Sequence, residues 1–204
     1  MGQLDGRLAI VTGAGQGVGR GTALALATEG AAVAVIGRTE AKLVETCDEI
    51  HRRGGRGHPV VGNAHDGDDI QRMVGESVEA LGGVDILVNN ANVYARGFGP
   101  LLSIADEHLV KSFMAGPVAT LRFMKACHPH MKARGRGDII NLVSSAMVRW
   151  DARSYGLYAA YKQAVRSLTR AAACEWAPDG IRALNVAPHA MSPGLKAWTE
   201  ANPV

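Results

Sequence analysis

A glycine-rich turn set between an apolar run and a helical pattern constrains this chain more than any other feature. Leu8-Ala9-Ile10-Val11 reads as a short buried strand. Thr12-Gly13-Ala14-Gly15-Gln16-Gly17-Val18-Gly19 follows, and then a helical pattern through Ala23, Leu24 and Ala27 that Gly30 closes. Strand, turn and helix therefore arrive in βα order within thirty residues. Glycine there can take positive φ and lets backbone approach a ligand closely. The helix that follows begins with free N–H groups and a positive dipole end, which suits a pyrophosphate.

The rest of the chain repeats this alternation. Strands are expected at 7–12, 32–36, 58–62, 84–89, 138–143 and 181–187, and helices at about 17–29, 40–53, 67–81, 104–134 and 154–177. Alternation of this kind implies parallel strands joined by right-handed crossovers. Both faces of such a sheet are covered, hence the unbroken apolar runs. The expected fold is α/β, a doubly wound parallel sheet with its ligand crevice at the carboxyl ends of the strands. With 204 residues, 47% hydrophobic and 20% charged, the chain is expected to form a single domain over 1–204. Two local features stand out in the long fourth helix. Ser103-Ile104-Ala105-Asp106 reads as a capping box opening it. Pro117 lies inside it, depriving the Phe113 carbonyl of its helical partner and predicting a kink.

Composition excludes several classes. A net charge of +3 from 22 basic and 19 acidic residues is too mild to argue for nucleic acid. Arg52-Arg53-Gly54-Gly55-Arg56 reads as a solvated helix end and loop. No apolar stretch approaches the ~20 residues of a membrane span, and no secretory signal is visible. Cys47, Cys127 and Cys174 are isolated, which indicates neither a zinc site nor a disulfide framework and makes a reducing, cytoplasmic setting the expectation. His128-Pro129-His130 lacks further ligands, so no metal is expected.

Further motifs accompany the turn. Asn89-Asn90-Ala91 follows the strand at 84–88, and Ser145 follows the strand at 138–143. Tyr158-Ala159-Ala160-Tyr161-Lys162 lies thirteen positions after Ser145, and Ile181-Arg182-Ala183-Leu184-Asn185-Val186-Ala187-Pro188 closes the series. Together with Thr12-Gly13-x-x-x-Gly17-x-Gly19, this order resembles the short-chain dehydrogenase/reductase family, with a match from about residue 4 to about residue 195. The resemblance implies a Rossmann-like NAD(P)-dependent oxidoreductase. It implies a secondary alcohol or carbonyl as substrate, with Tyr158 as acid/base, Lys162 as its tuning cation and ribose contact, and Ser145 as the substrate-orienting hydroxyl. It places the cofactor against Gly13, Gln16, Gly17, Val18, Gly19, Asn63, Ala64, Asn90, Ala91 and Pro188 as well as Tyr158 and Lys162.

Residue chemistry adds to this. Tyr158 and Lys162 are four apart on a predicted helix and share a face. A free tyrosine titrates near ~10, and an adjacent ammonium favours its phenolate. The second strand ends Val35-Ile36-Gly37-Arg38, so the position that often carries a ribose-binding carboxylate is glycine and a guanidinium follows it. That favours a 2′-phosphate, hence NADP(H) over NAD(H). Asn63 falls where the family has an Asp against the adenine amino group, and its side-chain oxygen can accept the same bond.

Three residues depart from the family pattern. Asn92 replaces the glycine that ends the Asn-Asn-Ala-Gly motif, His189 replaces the glycine after Pro188, and Phe113 replaces the fourth catalytic residue, an Asn. Asn92 and His189 either reshape the substrate crevice or sit at turns that tolerate them, while the Phe113 carbonyl is still able to hold a relay water. These departures favour an alternative reading, a catalytically weak or inactive NADP(H)-binding scaffold or sensor. Met147, Trp150, Tyr155, Met191, Leu195 and Trp198 are candidate pocket residues, mostly apolar. A homodimer built on the helices at 104–134 and 154–177 is expected, with Ala159, Ala164, Ala171, Ala172 and Ala173 allowing close approach. The chain is also expected to lack the family's last helix and strand.

Overall fold

The computed structural model describes residues 2–92, 99–148, 155–190, 196, 199 and 200. Six strands alternate with helices: β1 (Leu8–Thr12), α1 (Gly17–Thr28), β2 (Ala32–Gly37), α2 (Glu40–Arg52), β3 (Arg56–Val61), α3 (Gly67–Leu81), β4 (Ile86–Asn89), α4 (Asp106–Phe113), α5 (Ala119–Ala133), β5 (Gly137–Leu142), α6 (Gly156–Glu175) and β6 (Ile181–Val186). The strands pair in parallel in the order β3-β2-β1-β4-β5-β6. The doubly wound sheet expected from the alternation is therefore present. Its order reverses between β1 and β4, and there the crevice opens.

Side chains of the inner strands β1, β2 and β4 alternate between two cores. Leu8 and Ile10 of β1 join Ile70 and Met73 of α3 and Phe123 and Met124 of α5 on one face. Ala9 and Val11 join Ala23 of α1 and Leu43, Cys47 and Ile50 of α2 on the other. Pro59 sits in β3, an edge strand, where its missing N–H breaks no inner ladder. At the other edge, β6 alternates: Ile181 is buried and Ala183 half-buried, while Arg182, Leu184 and Val186 are exposed. Unbroken burial holds for β1 and β4, which have neighbours on both sides and cover on both faces.

The region expected as one helix over 104–134 is interrupted. A five-residue π segment, Met114–Val118, separates α4 from α5 and contains Pro117. The wider turn accommodates the missing N–H without breaking the helical path, as at other π-bulges. The expected capping box at Ser103 is not formed. Leu101–Ser103 is a 3₁₀ turn, Ser103 Oγ donates to the Pro100 carbonyl, and α4 starts at Asp106 with Ala105 before it. By contrast, α3 is capped by Asp66, whose Oδ1 accepts from the N–H groups of Asp68 and Asp69.

The amino ends of the strands are held by a buried charge. Asp85, just before β4, is fully buried and accepts from the Leu8 N–H and from Arg134 and Arg136, each Nε at 2.8 Å. Burial alone would raise its pKa, but the two guanidinium groups and the Leu8 N–H reverse this and hold the carboxyl below the usual range.

Candidate functional site

The carboxyl ends of β1, β2 and β4 border a groove of about 390 Å³. Gly13, Gly15, Gln16, Gly17 and Val18 form its floor, and Asn90, Ala91 and Asn92 form one wall. Gly13 and Gly17 take φ of +65° and +57°, the left-handed region that L-side chains rarely adopt. A Cβ on Gly13 would also lie 2.9 Å from Asn90 Nδ2, so the turn has room for backbone only. Gln16, the residue before α1, makes no side-chain cap and no acidic residue lies in the first turn. The first N–H groups of α1 are thus open to an anion. These features fit a dinucleotide pyrophosphate.

The turn is braced from β4. Thr12 Oγ1 accepts from the N–H groups of Asn90 and Ala91, at 3.0 and 2.9 Å, and Asn90 Nδ2 donates to the carbonyls of Thr12 and Gly13. The Asn90 amide group thus fixes the glycine turn, while the residue itself still lines the groove. Gly19, implied against the ligand by the family resemblance, is buried and does not line the groove. A Cβ there would meet the Gly13 carbonyl at 2.3 Å, so this glycine lets α1 pack on the turn.

The far wall is cationic. Arg38 and Thr39 follow β2, and Lys42 reaches in from α2, where its Nζ donates to Gln16 Oε1 at 2.6 Å. His65 completes this end beside Gly62 and Ala64. Its pKa is held below the usual histidine value by burial first and by the Arg38 charge second, against a hydrogen bond with the Ala115 carbonyl. Asn63 does not line the groove. Its Oδ1 accepts from the His65 N–H and its own N–H donates to Asp69 Oδ2, so it shapes the loop that presents Ala64 and His65. Lys42 and His65 escaped the sequence reading, since a lysine on an amphipathic helix and a lone histidine carry no motif.

The second cluster lies at the end of β5. Ser145 opens a 3₁₀ turn, Ser145–Val148, against which α6 packs, and Gln163 Nε2 of α6 donates to the Met147 carbonyl at 2.9 Å. Tyr158 is half-buried on α6, and Lys162 one turn later is 7% exposed. The Lys162 Nζ donates to the Leu142 carbonyl at 2.8 Å and stands 5.9 Å from the Tyr158 ring centroid and 5.7 Å from that of Tyr161. Burial pushes its pKa down to about 8. Lys162 thus joins the end of β5, three residues before Ser145, to the Tyr158 ring on α6. Pro188 follows β6, is exposed and does not line the groove. Of the pocket candidates, Met147 and Tyr155 are half-buried here, while Trp150, Met191, Leu195 and Trp198 lie outside the described residues.

Below this cluster runs a row of amides. Asn89, Asn141 and Asn185 are in register across β4, β5 and β6. Asn89 Nδ2 donates to Asn141 Oδ1, Asn141 Nδ2 to Thr169 Oγ1 of α6, and Thr169 Oγ1 lies 2.8 Å from Asn185 Oδ1. The row ties the helix carrying Tyr158 and Lys162 to three strands.

Comparison with known proteins agrees with this geometry. The short chain dehydrogenase family profile matches residues 7–202. A 12alpha-hydroxysteroid dehydrogenase from a Clostridium species is 34% identical over 210 residues, covering 100% of this chain and 80% of the relative. A solved structure of 7 alpha-hydroxysteroid dehydrogenase with NADH and 7-oxo glycochenodeoxycholic acid superposes with a TM-score of 0.90 at 28% identity, over 95% of this chain and 75% of that one. A short chain dehydrogenase from Burkholderia cenocepacia in complex with NADP gives a TM-score of 0.85 at 28% identity, over 94% and 77%. The profile match over nearly the whole chain and the 34% identity to a relative covered to four fifths decide the assignment: the chain belongs to the short-chain dehydrogenase/reductase family of NAD(P)-dependent oxidoreductases acting on CH–OH groups.

Proposed function

We propose that the protein interconverts a secondary alcohol and its ketone with NADP(H), using Tyr158 as acid/base. The observation that carries this reading is the Lys162 ammonium, buried and held 5.9 Å from the Tyr158 ring beside a groove built for a dinucleotide. An ammonium so placed favours the deprotonated phenol. In oxidation, the Tyr158 oxygen takes the proton of the substrate hydroxyl, and the Ser145 hydroxyl donates to the same substrate oxygen and orients it. The bound nicotinamide supplies the acceptor for the hydride. Lys162 keeps the charge that makes the proton transfer favourable near neutral pH.

The preference for NADP(H) rests on charge. Gly37 offers no carboxylate to repel a 2′-phosphate, and both Arg38 and Lys42 line that end of the groove. Gln16 adds no charge of its own, but it holds the Lys42 ammonium in place. Titration with NADPH and NADH tests the preference. Oxidation of NADPH with a panel of carbonyls, 7-oxo glycochenodeoxycholic acid and cyclohexanone among them, then tests the reaction. Tyr158→Phe is expected to abolish turnover and leave NADPH binding within about two-fold. NADPH binding without turnover across the panel would instead support the scaffold reading that Phe113 favours.

A homodimer is the proposed assembly. Leu109 and Val110 of α4 and Met114 of the π segment are exposed, and α6 presents Ala160, Ser167, Ala171 and Cys174 along one exposed face. Ala172, expected at the interface, is buried in the chain's own core and takes no part. A constant monomer mass in light scattering at tens of micromolar would refute the dimer.

A further inference from the structure

The Asn92 position, where this chain departs from its family's motif, has a partner across the site. Tyr161 is 3% exposed, and its hydroxyl donates to Asn92 Oδ1 at 3.0 Å across 69 residues of chain. Asn92 lines the groove at the end of the wall that follows β4. Tyr161 sits on α6 between the two residues of the Tyr-Lys pair. Its ring meets the Tyr158 ring edge-on, with centroids 5.1 Å apart at 86°. The Lys162 Nζ lies 5.7 Å from its centroid. Its ring also packs on the π segment, where a Cβ on Gly116 would come within 2.9 Å of Tyr161 Cδ2. One side chain therefore touches the groove wall, the π turn, the tyrosine and the lysine.

We propose that the Tyr161–Asn92 hydrogen bond is a strut that holds the catalytic helix in register with the groove wall, and that Tyr161 is a positioning residue for Tyr158. An edge-on aromatic neighbour fixes the Tyr158 ring only as well as it is fixed itself. The ring of Tyr161 is packed on one side against Gly116, and its hydroxyl end is tied to Asn92. Loosening that end leaves the Tyr158 oxygen free to wander from the position at which it meets a substrate bound along the groove, and misplacement of this kind lowers turnover more than binding. The catalytic consequence rests on the acid/base reading of Tyr158. The strut itself rests on the hydrogen bond alone.

The test uses Tyr161→Phe, which keeps the ring and its packing, Asn92→Ala, and the double variant. Kinetics are measured with whichever carbonyl of the panel turns over fastest, well below the melting temperature, and hydrogen exchange is followed on the ligand-free proteins. Each single variant is expected to lower kcat about five- to ten-fold, the size of one lost hydrogen bond. The substrate KM and the NADPH dissociation constant are expected to stay within about two-fold. The double variant should lose no more than either single one, since both remove the same bond. Exchange should quicken in residues 90–92 and in 156–162 together. A kcat for Tyr161→Phe indistinguishable from wild type, additive losses in the double variant, or unaltered exchange would each overturn the strut. Loss of all turnover in Tyr161→Phe, as complete as in Tyr158→Phe, would overturn it too, by making Tyr161 a group that touches substrate. If wild type turns over no carbonyl while exchange responds as expected, the strut stands and the proposed alcohol–ketone reaction with Tyr158 as acid/base falls.

Discussion

Lys162→Met should make the protein more stable and inactive at the same time. The Lys162 ammonium is buried, and among the described residues it forms no ion pair; it bonds the Leu142 carbonyl and lies near the Tyr158 and Tyr161 rings. Burial lowers its pKa from 10.5 to about 8. At ~1.4 kcal/mol per pH unit this is a folding penalty of about 3 kcal/mol near neutrality. Methionine fills similar space without the charge. Against the gain stands the loss of the ammonium's bond to the Leu142 carbonyl, a charge-assisted contact that costs about 1.5–3 kcal/mol. A net gain of up to about 1.5 kcal/mol at pH 7 is therefore expected. The sign of the pH dependence follows from the direction of the shift. Below pH 8 the lysine is protonated in both folded and unfolded chains, and the penalty is full. Between about 8 and 10.5 the folded protein has released the proton and the unfolded chain still holds it, so wild-type stability rises relative to the variant. Urea unfolding of both proteins at equal concentration, at pH 7 and pH 10, should show the gap between them narrowing by about 2 kcal/mol. A variant less stable than wild type at pH 7, or a gap that does not change with pH, would refute the argument that the site holds a penalised charge.

Arg38→Leu and Lys42→Leu should each weaken NADPH about ten-fold or more and NADH little, since a charge-assisted contact is worth about 1.5–3 kcal/mol; fluorescence titration with both cofactors reads this, and equal losses would show that neither cation meets the 2′-phosphate. Asp85→Asn should destabilise the protein by about 1.5–3 kcal/mol by removing the buried charge that Arg134 and Arg136 reach from the surface, measured by urea unfolding. Because the folded pKa of Asp85 is depressed, its contribution in wild type is present above about pH 4 and is lost as pH falls through the folded value, so the two proteins should converge in strong acid. Ala171→Glu, on the exposed face of α6, should shift a dimer towards monomer in light scattering without lowering the melting temperature of the monomer.

Much of the site could be read from spacing, because its parts are local. The glycine turn lies within eight residues, and the Tyr158–Lys162 pair within one helical turn. What escaped was long-range. Lys42 is joined to Gln16 across 26 positions, and on α2 it looks like any solvated helix charge. Tyr161 reads as an aromatic on a helix until Asn92 is found at its hydroxyl. Asn90 lines the groove as its motif implies, and its side chain also bonds backbone carbonyls of the turn, a second role that depends on where β4 lies beside β1. Ser103 misled because a Ser three residues before an Asp fits a cap and a 3₁₀ turn equally well, and the Pro100 carbonyl was nearer.

The amide row across β4, β5 and β6 has a consequence for how the chain reaches this structure. Parallel pairing offers many near-equivalent alignments, and valines and isoleucines discriminate weakly between them. Asn89, Asn141 and Asn185 do discriminate. Sliding β5 one residue past β4 turns the Asn141 side chain to the opposite face of the sheet. Sliding it two residues restores the face but leaves two buried amides without each other, at about 1–3 kcal/mol for each unmet group. Misaligned sheets are thus penalised where an all-aliphatic interior would tolerate them. Replacing Asn141 with leucine should then slow refolding through trapped alignments as well as cost about 1–3 kcal/mol of stability, because the middle strand would have lost its mark and the buried Asn89 amide its partner.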